Sequence, residues 1–337
     1  MMGTPFVHER RIPEALNNCA FISTESLAAE RGSAFAWLMT LSMLGVGVGF
    51  DVRGAGKAHV YHPSIVMGEV AYVIPDSREG WARSMELLVD SYLVEDTAMV
   101  SFHYDKLRPQ GRPIRGFGGE ASGPAPLREL HEKVRLILDA RVGGALTARD
   151  IADICNLIGK CVVAGNVRRS AEICLGEPDD LEFLNLKNYT INPERKEHGW
   201  ASNNSVFGLV GMDYGPVAER AWANGEPGVF WLDNVRSFGR MNGVNDYQDH
   251  DAVGTNPCAE QPLHHKELCT LVEVFLPRIE NKQEFRNVLK VAFRYAKSVT
   301  LASQWITDPV SRAVMLENSR IGLSLTGVAE FVDTHGL

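Results

Sequence analysis

The chain has 337 residues, of which 45% are apolar and 23% charged, and its 34 basic and 42 acidic residues give a formal net charge of −8. This apolar fraction supports a large buried core and excludes intrinsic disorder, while six cysteines are too few for a secreted disulfide scaffold. The negative charge argues against binding to DNA or RNA.

We expect a soluble, cytoplasmic protein. The first eight residues lack the basic and apolar regions of a signal peptide. The longest apolar stretch, residues 35–50, contains three glycines and is too short to span a bilayer. We therefore expect reduced cysteines and no contact with a membrane.

Three segments have the three-and-four apolar spacing of amphipathic helices: residues 76–92, 147–159 and 285–299. Asp76, with Glu79 three residues later, predicts the N-cap of the first helix. Thr147 begins the second, whose apolar face includes Cys155 and which has Gly159 near its end. We interpret Cys155 as a core residue.

Five short apolar runs have the composition of strands: residues 46–52, 162–163, 229–232, 271–275 and 321–325. Because they lack polar alternation, we expect burial on both faces, and strands separated by helices predict an α/β architecture with a barrel or a covered sheet. Two further segments, residues 109–126 and 192–204, are predicted as long functional loops. No segment has the composition of a linker, so residues 1–337 are predicted to form one domain.

The glycine-rich run at residues 45–50 begins like a dinucleotide-binding loop. Phe50 occupies the last glycine position of that fingerprint, and no helix is predicted to start there. The run is better interpreted as a strand whose glycines admit another backbone or a ligand at close range. Downstream, Arg168 and Arg169 indicate a surface ion-pair cluster or a phosphate contact.

Reactive side chains are most concentrated in residues 255–269. One interpretation is a zinc site formed by Cys258, His264, His265 and Cys269. Adjacent histidines rarely reach the same metal, and neither cysteine lies in a CxxC motif. A second interpretation is a thiol or radical site, with Cys258 between the amide of Asn256 and the carboxylate of Glu260, a candidate general base. The third, buried structural cysteines, is disfavoured by these polar neighbours.

Residues 256–260, Asn-Pro-Cys-Ala-Glu, together with residues 17–20 and 266–269, resemble the catalytic chain of ribonucleotide reductases. Four other segments are similar to the adenosylcobalamin-dependent (class II) ribonucleoside-triphosphate reductases: residues 75–81, 116–124, 163–172 and 202–206. The resemblance covers essentially the entire chain. The eleven-residue spacing from Cys258 to Cys269 is the class II arrangement.

The resemblance implies a ten-stranded α/β barrel with a central finger loop that carries a thiyl-radical cysteine. By position, Cys258 would abstract the ribose 3′ hydrogen, Glu260 would take the 3′-hydroxyl proton, and Asn256 would hydrogen-bond the substrate. Cys19 and Cys269 would be the dithiol that protonates the departing 2′-hydroxyl and ends as a disulfide. This chemistry needs a proton donor, a base and two electrons, and a thiol pair supplies the electrons.

The same matching places Thr4, Asn18 and Gly47 along the substrate nucleotide. It implies adenosylcobalamin as cofactor, a ribonucleoside triphosphate as substrate, a deoxynucleotide as effector and a thioredoxin-like protein as reductant. Three cysteines match no catalytic position and are interpreted as core or near-surface thiols: Cys155, Cys161 and Cys174.

Members of this family are longer than 337 residues. The resemblance implies an N-terminal helical region before Cys19 and, after Gly327, further strands, a phosphate-binding loop and a C-terminal cysteine pair. We therefore expect an incomplete barrel that is inactive alone and depends on a complementary polypeptide. Two alternatives remain: the same chemistry with the radical delivered by a partner subunit, and a thiol- or zinc-binding protein without turnover.

Overall fold

The structure is a computed structural model that describes residues 7, 9–114, 119–164, 170–240 and 247–335. The chain forms two compact units. The smaller comprises residues 1–20 and 266–337, and the larger comprises residues 21–265. Within the described ranges, no helix is both long enough and apolar enough to cross a membrane.

The secondary structure alternates between strands and helices. The strands are β1 (Cys19–Ile22), β2 (Gly47–Asp51), β3 (Ser64–Val73), β4 (Ala98–His103), β5 (Glu172–Gly176), β6 (Ser202–Phe207), β7 (Gly228–Phe230), β8 (Gly254–Thr255), β9 (Pro262–Leu263), β10 (Glu267–Phe275) and β11 (Ile321–Thr326). The α-helices are α1 (Leu27–Glu30), α2 (Gly32–Met43), α3 (Arg78–Leu93), α4 (Ala125–Asp139), α5 (Ala148–Val163), α6 (Leu181–Leu184), α7 (Gly215–Asn224), α8 (Leu232–Phe238), α9 (Lys282–Ala302), α10 (Pro309–Asn318) and α11 (Val328–His335). Short 3-10 helices lie at Pro13–Leu16, Pro193–Glu197, Gly199–Ala201, Leu276–Arg278 and Ser303–Trp305.

In the larger unit, four parallel strands pair in the order β2-β5-β6-β7. Helix α2 packs against β2, α3 and α5, and α4 packs against α5. Strand β2 is fully buried, as predicted for residues 46–52, and β5, which was not predicted from the sequence, is fully buried as well. Parallel strands connected through helices confirm the predicted α/β architecture. A separate two-stranded parallel sheet pairs β3 with β4.

In the smaller unit, β10 runs parallel to β11, with Thr270 opposite Ile321 and Phe275 opposite Thr326. The long helix α9, predicted from its periodicity, packs on both strands. Its core consists of Val274, Leu276, Ile279 and Ala292. The expectation of burial on both faces is wrong for three of the predicted strands. The last four residues of β11 are exposed, and so are Glu273 and Phe275 of β10. In residues 229–232, Val229 and Trp231 are exposed.

Two helix starts test the capping predictions. For α3, the N-cap is Ser77, whose side chain accepts from the Gly80 N–H at 3.0 Å, and not Asp76 as predicted. Asp76 instead accepts from Arg108 Nε at 2.8 Å, which removes its carboxylate from the helix end. For α5, Thr147 forms the expected N-cap within a capping box.

Two of the predicted non-helical segments differ from the structure. Residues 162–163, predicted as a strand, are the last residues of α5, because the helix that begins after its capping box continues to Val163. Residues 192–204, predicted as a loop, contain two 3-10 helices and the start of β6. Arg195 anchors this segment: it is fully buried and donates from Nε to Asp153 at 2.6 Å. In residues 229–232, the first two residues end β7, Trp231 is the N-cap of α8, and Leu232 begins that helix.

Candidate active site

Residues 256–261, within the segment that has the most reactive side chains, form a tight loop in the larger unit. Strand β8 pairs antiparallel with β9, so that Thr255 lies opposite Pro262 and Gly254 opposite Leu263. The residues between the two strands project as a loop, and Cys258 is exposed there. The Cys258 thiol is therefore accessible to a reaction partner from outside the chain.

Asn256 and Glu260 are in direct contact within this loop. The Asn256 side chain is buried, and its Nδ2 donates to Glu260 Oε1 at 2.8 Å. Its Oδ1 accepts from the backbone N–H of Gln261 at 3.0 Å. Because Oδ1 faces a donor and Nδ2 faces a carboxylate, the hydrogen-bond network fixes the orientation of the amide. Asn256 thus holds the carboxylate that the sequence predicts as the base.

The backbone at Ala259 shapes the loop. This residue has a φ of 65°, in the left-handed region that non-glycine residues rarely adopt, and its N–H donates to the Asn256 carbonyl at 2.9 Å. The resulting turn reverses the chain after Cys258 and returns Glu260 to the side chain of Asn256. Such strain costs on the order of 1 kcal/mol and is typical of functional loops.

The prediction that the strand glycines admit a close backbone is confirmed at Gly49. A Cβ added at Gly49 would lie 2.1 Å from the carbonyl oxygen of Thr255, and one added at Gly254 would overlap the ring of Phe21. Thr255, at the start of the loop, therefore packs against β2 at a position where only glycine leaves enough space. Gly47 is buried on the same strand, and its role along a nucleotide stays a prediction.

In the smaller unit, the segment before Cys19 is joined to the strand that carries Cys269. The Asn18 N–H donates to the Cys269 carbonyl at 3.0 Å, and Asn18 Oδ1 accepts from the Leu271 N–H at 2.9 Å. Asn17 Oδ1 accepts from Thr270 Oγ1 at 3.1 Å. Cys19 and Cys269 are both buried, on these neighbouring segments. This placement is compatible with a pair of thiols that act together.

The adjacent histidines contact different carboxylates. His265 Nδ1 accepts from the Ser23 N–H at 3.2 Å, so that its Nε2 carries the proton donated to Glu30 Oε1 at 2.9 Å. His264 Nε2 lies 3.4 Å from Asp249 Oδ1. Within the described ranges, no group of three or more histidine, cysteine, aspartate or glutamate side chains is arranged to hold a metal ion. The zinc interpretation is therefore not supported by the contacts of the two histidines.

The other three cysteines are core residues, as predicted: Cys155, Cys161 and Cys174 are buried. Burial raises the pKa of the Cys155 and Cys174 thiols well above the usual value. They are consequently poor nucleophiles. Thr4, Arg168 and Arg169 lie outside the described residues.

Two residues at the ends of the loop, Thr255 and Gln261, were not predicted from the sequence. Thr255 Oγ1 donates to the Gln261 carbonyl at 3.0 Å, and the same carbonyl accepts from the Asn256 N–H at 3.1 Å. A threonine directly before a tight polar loop is the available signal, since its hydroxyl readily bonds to nearby backbone.

Two parts of the chain match known protein families. One is "B12-dependent ribonucleotide reductase, insertion domain", at residues 52–138, and the other is "Ribonucleotide reductase, barrel domain", at residues 215–337. The first range includes β3, β4 and α3, a module that sequence analysis did not distinguish from the rest of the chain.

Curated relatives extend the similarity to nearly the whole chain. It is 48% identical to the adenosylcobalamin-dependent ribonucleoside-triphosphate reductase of Euglena gracilis over 336 residues, which are 100% of this chain and 46% of that protein. It is 36% identical to the protein of that name from Lactobacillus leichmannii over 384 residues, with 97% of this chain and 51% of the relative covered. The chain thus spans about half the length of the curated relatives it matches.

A solved structure of a B12-dependent (class II) ribonucleotide reductase superimposes with a TM-score of 0.84 at 32% sequence identity. The match covers 99% of this chain and 53% of that one. The implied α/β reductase fold is confirmed.

Proposed function

The chain belongs to the B12-dependent (class II) ribonucleotide reductase family, and we propose that it carries the catalytic loop and the thiol pair of an enzyme that reduces ribonucleoside triphosphates to 2′-deoxyribonucleoside triphosphates for DNA synthesis. The observation that carries the proposal is the loop in which Asn256 holds the Glu260 carboxylate beside an exposed Cys258. A base and a thiol on one short loop suit removal of a hydrogen atom and a proton from neighbouring positions of one sugar.

The loop residues divide the first half of the reaction between them. Cys258, as a thiyl radical, takes the hydrogen atom from C3′ of the ribose. Glu260 takes the proton of the 3′-hydroxyl, because a carboxylate that accepts one N–H from Asn256 retains lone pairs for a second partner. The Asn256 amide, fixed through Oδ1, keeps the carboxylate oriented toward the sugar. Loss of the 3′-hydroxyl proton promotes departure of the 2′-hydroxyl.

The thiol pair completes the reduction. One thiol of Cys19 and Cys269 protonates the 2′-hydroxyl, which leaves as water, and the pair gives up two electrons and two hydrogens in total as its disulfide forms. Cys258 then returns its hydrogen atom to C3′. The balance is one ribonucleotide and one dithiol to one deoxyribonucleotide, one disulfide and one water. A dithiol reductant of the thioredoxin type is needed to restore the pair for the next turnover.

We assign adenosylcobalamin as the cofactor. When bound, it would supply a weak cobalt–carbon bond and, through it, an acceptor for the hydrogen atom that leaves the Cys258 thiol. The chain fits this group because the Cys258 thiol, exposed on its loop, is accessible to a large external cofactor. Similarity to the B12-dependent insertion domain favours this cofactor over a radical delivered by a partner subunit.

Regulation and location follow from the same assignment. A deoxynucleotide effector suits an enzyme that must balance the products it makes. Six cysteines in 337 residues are too few for a secreted disulfide scaffold and suit a reducing compartment, and we place the enzyme in the cytoplasm.

The test is formation of deoxynucleoside triphosphate from ribonucleoside triphosphate by the purified protein that carries this chain, with a dithiol reductant. We expect product only when adenosylcobalamin is added. Equal turnover without the cofactor would contradict the cofactor assignment. Absence of product from all four ribonucleotides, with cofactor and effector present and the fold intact, would contradict the proposed function.

A further inference from the structure

We propose that Thr255 is a positioning residue, which sets the direction of the Asn256 amide and thereby holds the Glu260 carboxylate in place for proton transfer. The inference rests on the proposed function and adds to it a residue that touches neither substrate nor cofactor. It concerns the base of the loop, whereas the reacting groups lie further along it.

The Thr255 hydroxyl is fully buried and has two acceptors within reach. Oγ1 lies 3.0 Å from the carbonyl oxygen of Gln261 and 3.3 Å from Oδ1 of Asn256. A single hydroxyl proton is thus shared between the far end of the loop and the amide oxygen of its first residue. Because water does not reach this hydroxyl, the two contacts are not replaced when it is removed.

The contacts continue from Thr255 to the carboxylate through the loop itself. The carbonyl of Gln261 accepts from both Thr255 Oγ1 and the Asn256 N–H, while its own N–H donates to Asn256 Oδ1. With Oδ1 held from two sides, Nδ2 points to Glu260 Oε1. Without the Thr255 hydroxyl, one hydrogen bond between the two ends of the loop is lost. The Asn256 amide also loses one of the contacts that fix its rotation.

The backbone of Thr255 is held by its contacts with β2 and β9. Its carbonyl oxygen occupies the space that a side chain at Gly49 would fill, and its strand pairs with β9 opposite Pro262. The backbone of Thr255 therefore cannot shift toward β2, and the hydroxyl is presented from a rigid support. In contrast, Cys258, Ala259 and Glu260 are exposed, so their placement depends on bonds made within the loop.

Thr255→Val and Thr255→Ser separate the hydroxyl from the shape of the side chain. Valine keeps the volume and removes the bond, whereas serine keeps the hydroxyl. In full reductase assays with adenosylcobalamin, we expect Thr255→Val to lower kcat about tenfold, because a carboxylate misplaced by a fraction of an ångström transfers protons poorly. KM should change by less than about twofold, since Thr255 makes no substrate contact. Thr255→Ser should recover most of kcat.

A second readout needs neither substrate nor cofactor. Hydrogen exchange of peptides that span residues 254–263 should be faster in Thr255→Val than in the wild type, because the N–H groups of Ala259 and Gln261 donate within this loop. Thr300→Val is the matched control. Thr300 is equally buried, and its hydroxyl donates to the backbone of its own helix at Lys297, in the other unit.

The outcomes are distinct. Wild-type kcat in Thr255→Val, or an equal loss in Thr255→Val and Thr255→Ser, would overturn the positioning role. A change in exchange spread over the whole protein would assign Thr255 to general stability and also overturn it. If the wild type forms no deoxynucleotide, the proposed function fails, and unchanged exchange at residues 254–263 in Thr255→Val would still overturn the loop-holding role, whereas local loss of protection would support it.

Discussion

The backbone N–H of Asn18 donates to the carbonyl oxygen of Cys269 at 3.0 Å, which fixes the segment leading into Cys19 against the strand that carries Cys269. Asn18 also accepts, through its side chain, from the next but one residue of that strand, Leu271. The two cysteines of the proposed redox pair therefore lie on segments that are hydrogen-bonded to each other.

The first prediction concerns this pair. Protein reduced beforehand and freed of external reductant should form about one deoxynucleotide for each reduced cysteine pair that serves the reaction, since one dithiol supplies the two electrons of one turnover. Peptide mapping should then find Cys19 linked to Cys269. Cys155→Ala, which removes a buried thiol elsewhere, should leave this yield unchanged. A full yield from Cys269→Ser would contradict the assignment.

The second prediction concerns the close contact between Gly49 on β2 and Thr255 at the start of the loop. Gly49→Ala places a methyl group against the Thr255 carbonyl, 2.1 Å away, so that the loop must move or the strand must bend. We expect a loss of about 1–3 kcal/mol in the free energy of unfolding, together with loss of turnover. Gly144→Ala is the control, because its added Cβ would meet its nearest neighbour at 3.4 Å. Chemical denaturation of both variants measures their free energies of unfolding. Equal values for Gly49→Ala and Gly144→Ala would show that the close contact between Gly49 and Thr255 is not required.

The third prediction concerns Glu172 on β5. Burial raises the pKa of this carboxyl to about 8, and Asn156 Nδ2 donates to it at 3.0 Å. The folded protein therefore holds a proton that the unfolded chain releases at about pH 4.5. This contribution to stability is fully present below about pH 4.5 and is lost as the pH rises toward 8, with a slope of up to about 1.4 kcal/mol per pH unit.

Glu172→Gln keeps the shape without the titration. Its free energy of unfolding should vary less with pH between 5 and 8 than that of the wild type, as urea denaturation at a series of pH values would show. Glu194→Gln, at an exposed carboxylate, provides the comparison. Parallel stability curves for wild type and Glu172→Gln would show that Glu172 is not the titrating group.

The fourth prediction concerns His131 on α4, within the insertion-domain match. Burial lowers its pKa to about 3, and its ring lies between Ser84 Oγ at 3.0 Å and Tyr104 OH at 2.8 Å. A neutral ring in the folded state means that stability is full above pH 6.5 and is lost as the pH falls toward 3. The protection of α3 and α4 against hydrogen exchange, corrected for the intrinsic pH dependence of amide exchange, should therefore fall on acidification, and His131→Asn should weaken that dependence. An unchanged dependence would exclude His131 as its source.

Local signals in the sequence predicted local structure well. The helix start at Thr147 and the apolar face of α5 depend on residues within a few turns of one another, and both predictions are confirmed. The same locality explains an error: Val162 and Val163 have strand propensity, yet they extend a helix already started. At α3, Asp76 and Ser77 both suit an N-cap, and the distant Arg108 decides between them.

Contacts between distant segments were less predictable. The close approach at Gly49 could be expected from a glycine on a strand, but its partner, Thr255, lies about 200 residues away in sequence. Similarly, the pattern of residues 192–204 suggested a loop because nothing local shows that Arg195 is buried against Asp153. The candidate roles of Cys258, Glu260 and Asn256 came from a resemblance, while the bonds that orient them required the structure.

The central claim is that Cys258 is the thiol that starts the reaction. Its exposure on the loop means that Cys258→Ser should fold as the wild type does, so loss of function can be attributed to the sulfur. The direct measurement is deoxynucleoside triphosphate formation by the purified protein that carries this chain, as wild type and as Cys258→Ser, each with adenosylcobalamin, effector and dithiol. We predict product from the wild type and none above background from the variant; turnover by Cys258→Ser at a rate close to that of the wild type would contradict the account.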